Sequence, residues 1–140
     1  MPSAIITILD NPSDEDHRAI LNPLLAFNDA QTGDDGYEQI AIMLKNEAGN
    51  AVGGLWAKLY YDWLFVELLF VPENLRGEDF GTRLLTQAEQ IARQKTCIGI
   101  WLDTFSFQAP GFYEKNGYER FGALKDYPKG RERIFFRKVF

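Results

Sequence analysis

A chain of 140 residues with 46% apolar and 25% charged residues has the size and composition of one soluble globular domain, residues 1–140. It is too apolar for a disordered chain, and no apolar run approaches the ~20 residues of a membrane span. Fifteen Lys and Arg against 20 Asp and Glu, a net charge of −5, argue against nucleic acid as a partner; the single Cys97 excludes an intrachain disulfide and a cysteine-based metal site.

Taken in chain order, Ile5 to Leu9 reads as a first strand. The stretch from Met1 to Ile8 lacks the basic start and long apolar core of a signal peptide, so the expected compartment is the cytoplasm. Ser13 is an N-cap, with Asp14, Glu15 and Asp16 in a first turn that suits negative charge. Ile20, Leu21, Leu24, Leu25 and Phe27 share a helical face, which Asn22-Pro23 is expected to divide into two short helices. Residues 28–36 are polar with two glycines and read as a loop. Ile40, Ile42 and Leu44 alternate as a half-buried strand, and strands follow over 51–60 and 63–71 across a tight Tyr61-Asp62 turn. Gly53-Gly54 inside the second of these marks a bend or a close backbone approach.

The next segment, Leu69 to Leu85, carries the most chemistry. An apolar strand ends at Pro72, crosses a turn bearing Arg76, Gly77 and Gly81, and enters a helix marked by Leu84, Leu85, Ala88, Ile91 and Ala92. A strand–turn–helix of this kind aims free N–H groups and a positive helix end at one point, which suits an anion and phosphate above all. Arg76 would add a charge-assisted bond. Beyond it come a buried-type strand (97–102), a short helix (109–115) stopped by Asn116-Gly117, and closing strands over 118–121 and 131–139.

The turn at 71–82, followed one helix and one strand later by Ala-Pro-Gly-Phe-Tyr-Glu-Lys-Asn-Gly-Tyr (109–118), resembles the GNAT family of GCN5-related N-acetyltransferases over nearly the whole chain. The resemblance implies an α/β fold of the α+β type: a mixed, mostly antiparallel sheet of six to seven strands flanked by about four helices, in the order β-α-α-β-β-β-α-β-α-β-β. It implies acetyl-CoA as co-substrate and a primary amine of a small molecule as acceptor. Leu69, Phe70 and Val71 would pair with the pantetheine arm, and Arg76, Gly77, Glu78, Asp79, Phe80, Gly81 and Thr82 would wrap the pyrophosphate. The strands before and after the turn helix would splay apart to admit the thioester. Gln108 stands where relatives often place an asparagine on the cofactor, and Phe112 is a further expected cofactor contact. One departure is Asp79, where the family pattern has glycine; it either caps the helix with its side chain turned away or weakens the site.

Acetyl transfer needs a neutral amine and a proton donor for the departing sulfur. By resemblance Tyr113 is that donor, and a phenol keeps its proton at neutral pH; it could equally pack the short helix on the sheet. Glu67, inside an apolar strand, is either the base or an ordinary solvent-facing carboxylate. Asp103 is a second base or an amine-binding group, and Tyr37 and Trp56 complete the expected acceptor side, where carboxylates and aromatic faces suit a cationic amine. Lone His17 reads as a surface residue. Aromatic-rich strands and the basic final strand could serve a homodimer. The rival readings are a non-catalytic acyl-CoA sensor or interaction module, and a protein or peptide acetyltransferase.

Overall fold

In the computed structural model, which describes residues 2–140, Ser13 opens helix α1 (Asp14–Thr32). Its hydroxyl accepts the Asp16 N–H at 3.1 Å while the Asp16 carboxylate accepts the Ser13 N–H at 2.9 Å, so two end donors are satisfied reciprocally. These bonds also hold the Asp16 carboxyl below its usual range. Gly33, at φ +77°, ends the helix. Pro23 lies inside α1 and does not divide it, contrary to the expected helix pair. An interior proline costs about 3 kcal/mol, and the other turns and the cap of this 19-residue helix carry it. The expected loop from residue 28 accordingly shrinks to residues 33–37.

The expected first strand at residues 5–9 does not form: no ladder takes it up, and Ile5, Ile6 and Ile8 are 92%, 96% and 85% exposed. β-Branched residues favour a strand only where a neighbour supplies packing and hydrogen bonds. By their contacts, residues up to Asp35 make one compact unit and Gly36–Phe140 a second. No side chain of α1 is buried.

The second unit is built on a six-stranded sheet of β1 (Glu38–Lys45), β2 (Ala51–Tyr60), β3 (Trp63–Phe70), β4 (Gly99–Phe105), β5 (Glu119–Lys125) and β6 (Glu132–Val139), ordered β1-β2-β3-β4-β6-β5. All neighbours are antiparallel except β3 and β4. The β2–β3 hairpin turns on Tyr61 and Asp62, both at positive φ (46° and 70°), which matches the right-handed twist of the strands. The Gly53-Gly54 reading holds: a side chain at Gly53 would strike the Phe70 carbonyl oxygen, and one at Gly54 that of Ile42.

Helix α2 (Phe80–Gln94) lays Leu84, Leu85, Ala88 and Ala92 on Leu55, Ala57, Leu64, Val66, Ile100 and Leu102 of the sheet. Helix α3 (Pro110–Lys115) adds Tyr113, which packs with Tyr118 and Phe136. Phe136, Leu64, Leu85, Ile100 and Leu102 are fully buried, each contributing about 1.5–3 kcal/mol. The fold class is as expected, with one strand and one helix fewer than the expected order. No helix is long and apolar enough to cross a membrane among the described residues.

Candidate functional site

A gap opens in the middle of the sheet. Strands β3 and β4 pair in parallel only from Trp63–Gly99 to Val66–Leu102. Beyond that point β3 continues along β2, with Leu69 opposite Leu55 and Phe70 opposite Gly54, while Asp103, Thr104 and Phe105 follow β6. Two strand edges therefore face each other without a ladder, and their backbone groups on that side remain available to an extended ligand. Leu69, Phe70 and Val71, the residues expected to pair with a pantetheine arm, follow the point where the ladder ends.

Glu67 sits where the gap begins. Trp56 faces Leu68 and Ala57 faces Val66, so Glu67 is the extra residue of a β-bulge. Bulges re-aim side chains. Here the carboxylate meets Lys58 at 3.2 Å, with both side chains about one-third exposed.

The chain leaves β3 through Val71-Pro72 and a single 3-10 turn, Glu73–Leu75. Arg76 bends back so that its Nε donates to the Val71 carbonyl at 3.0 Å, which ties the two ends of the turn. Gly77 takes φ +85° and Asp79 φ +63°, ψ +18°. Asp79 thus occupies the N-cap position of α2 in a left-handed conformation and makes no side-chain cap bond, so the expected capping role does not hold. Its conformation is one that glycine enters freely and aspartate tolerates better than most residues. The backbone path of a glycine turn is kept although the side chain differs. The first bond of the helix runs from Arg83 N–H to Asp79 C=O at 2.9 Å, so the N–H groups of Phe80, Gly81 and Thr82 have no acceptor within the helix. That arrangement fits a phosphate, and the exposed Glu78 and Asp79 border it.

Gly81 joins this cradle to α3: a Cβ there would come within 2.9 Å of the Phe112 ring. Phe112 meets Tyr113 edge-on at 5.1 Å, which places the phenol next in line. Tyr113 is 9% exposed, and among the described residues none bonds its hydroxyl. Burial, with the negative charge of Asp103 behind it, pushes its pKa up from 10.0 to about 12. Tyr118, by contrast, gives its hydroxyl to Glu89 at 3.1 Å, and Lys138 reaches the same carboxylate at 2.8 Å. Burial and Glu89 push the Tyr118 pKa up as well.

Across the gap, Asp103 is gripped by Arg133 through two bonds of 2.8 Å, and Arg133 also donates to the Tyr127 hydroxyl at 3.2 Å. Gln108 accepts from the Phe105 N–H at 2.8 Å and from the Thr104 hydroxyl at 3.0 Å, so its oxygen braces the end of β4 and its amide NH2 remains for another contact. Tyr37 and Trp56 lie on the β1–β2 side, with β3 between them and Asp103. Sequence reasoning missed Arg133 and Tyr127. An arginine next to buried Ile134 and three residues before buried Phe136 in an apolar strand was a signal, but its partner is 30 residues away.

Residues 6–118 match the model of the Acetyltransferase (GNAT) family. The chain is 44% identical over 85 residues to blasticidin-S acetyltransferase of Streptomyces morookaense, covering 60% of this chain and 62% of that one. An Agrobacterium tumefaciens crystal structure described as an acetyltransferase superposes with a TM-score of 0.91 at 33% identity, over 98% of this chain and all of that one. A Bacillus anthracis structure described as a streptothricin acetyltransferase, solved with acetyl coenzyme A, has a TM-score of 0.65 at 25% identity, over 73% of this chain and 62% of that one. With its gap between parallel strands and its open helix start, this chain belongs to the GNAT family and is an acetyl-CoA-dependent acetyltransferase.

Proposed function

We propose that the protein moves the acetyl group of acetyl-CoA to a primary amine of a small molecule by direct attack. The observation that carries this reading is the end of β3–β4 pairing at Val66 and Leu102, with the phosphate cradle at one end of the gap and Tyr113 next to that cradle through Phe112. Acetyl-CoA supplies an activated acyl carbon, and the remaining roles fall to this chain. The edge Leu69–Val71 aligns the pantetheine arm, and the N–H groups of Phe80, Gly81 and Thr82 with Arg76 hold the pyrophosphate. The bond from amine nitrogen to acetyl carbon forms as the carbon–sulfur bond breaks. The Tyr113 phenol gives its proton to the sulfur, and the amine proton passes to Glu67 or Asp103, directly or through water. A phenol held near pKa 12 is fully protonated at neutral pH, so the acid is loaded before each turnover. The blasticidin-S acetyltransferase relative supports a small-molecule acceptor.

Calorimetry with acetyl-CoA and a turnover assay over primary amines test the reading. Tyr113→Phe should lower kcat by about 100-fold or more and leave acetyl-CoA affinity within about twofold. Unchanged turnover would remove Tyr113 from the mechanism.

A further inference from the structure

Past Asp103, the end of β4 and the loops beside it carry aromatic residues that the mechanism does not use. Phe105 and Phe107 stack almost parallel, with 5.3 Å between ring centres and 5° between planes, and Tyr127 leans on Phe105 at 5.7 Å from the β5–β6 loop. Phe107 and Tyr127 are 51% and 43% exposed. Two of the three rings are therefore held in order without being buried. Tyr127 is ordered by Arg133, which donates to its hydroxyl at 3.2 Å, lies over its ring at 5.2 Å, and is itself pinned to Asp103; Phe107 is ordered by its stack on Phe105. The exposed Arg131 guanidinium lies over the Phe107 ring at 5.8 Å, so a flat group can already settle there.

Asp103 and Phe105 are two residues apart on β4, hence on the same face and ~7 Å apart along the strand. A three-carbon chain between an amine at Asp103 and a ring at this aromatic cluster is of about the same length. Resting on the small-amine reading above, we propose that Phe107 and Tyr127 form a shelf for a planar aromatic ring of the acceptor, whose amine is held at Asp103. The ring exchanges with the Arg131 side chain, and ring stacking sets a preference for arylalkyl amines over saturated amines of the same length.

The test compares kcat/KM for 3-phenylpropylamine and 3-cyclohexylpropylamine. The wild-type protein should favour the phenyl compound by about fivefold, the scale of one aromatic pair. Phe107→Leu keeps an apolar side chain and should bring the ratio close to one through KM, whereas Tyr127→Phe keeps the ring and should retain most of it. A wild-type ratio near one, or a ratio undiminished in Phe107→Leu, overturns the proposal. If acetyl-CoA binds but neither amine is acetylated, calorimetry of both amines on the CoA-bound protein decides. A phenyl preference there keeps the shelf and removes the small-amine transfer reading, and no preference removes the shelf.

Discussion

The two walls of the gap are made in different ways. On the β3–α2 side, the groups left available to a ligand are mostly backbone and come from one stretch of chain, Leu69 to Thr82. On the β4–β6 side, side chains find partners over long separations: Arg133 to Asp103 spans 30 residues, and the Ser106 hydroxyl to the Glu132 N–H spans 26. The first wall can tolerate an aspartate in place of glycine because the left-handed turn at Asp79 survives the change. The second depends on single charged contacts, each of which can be removed by one substitution. Cofactor binding should therefore be set locally and acceptor choice by tertiary contacts.

After the loss of turnover expected of Tyr113→Phe, the largest effect should come from Gly81→Leu. The new side chain must displace Phe112, which a Cβ alone would approach within 2.9 Å. Overpacking of this kind costs about 1–3 kcal/mol, and acetyl-CoA affinity measured by calorimetry should fall about tenfold. An unchanged affinity would separate α3 from the cradle and break the contrast between the walls.

Next in size is alkaline stability. Tyr113 titrates near 12 in the folded chain against an ordinary 10.0, so its neutral form stabilises the fold below pH 10, and that contribution is lost as pH rises through 12. The loss amounts to roughly 2–3 kcal/mol by linkage. Urea midpoints should fall between pH 10 and 12, and fall less in Tyr113→Phe. An identical fall in both proteins would assign the effect to Tyr118, whose pKa is also raised.

On the second wall, Arg133→Met leaves Asp103, with its side chain 14% exposed, without its cation. Urea unfolding should show a loss of about 1–3 kcal/mol, and acetyl-CoA affinity should not move. A coupled loss of cofactor affinity would mean that the walls are not separate. The smallest effect is expected of Asp79→Asn, which keeps the tolerance for a left-handed turn and removes a charge beside the cradle. Acetyl-CoA should bind about twofold tighter, the scale of one exposed ion interaction. No gain would mean that the Asp79 carboxylate is too distant or too well screened to affect the phosphate.

Much of this was legible in the chain. The alternation in β1, the strands on either side of Tyr61-Asp62, and the spacing of Leu84, Leu85, Ala88 and Ala92 each express a period set by nearest neighbours. The cradle was legible for the same reason, since turn chemistry and free helix N–H groups need only a dozen consecutive residues. The failures share a cause as well. The strand expected at 5–9 had the right residues and no partner, Pro23 is carried by the helix around it, and Asp79 had the identity of a cap in the wrong backbone conformation.

The sequence by itself determined the family, the strand–turn–helix proposed to meet the phosphates, and Tyr113 as the phenol beside it. Those depend on residues close together in the chain, where local geometry leaves few alternatives. Only the tertiary structure decided that β3 and β4 part after Val66 and Leu102, that Glu67 is the bulged residue beside Lys58, and that Arg133 binds Asp103 and Tyr127 together. Each of these depends on the register between strands, and for β3–β4 and β4–β6 the paired strands lie about 30 residues or more apart in the chain. A register is chosen by the packing of the whole sheet, which no short segment encodes.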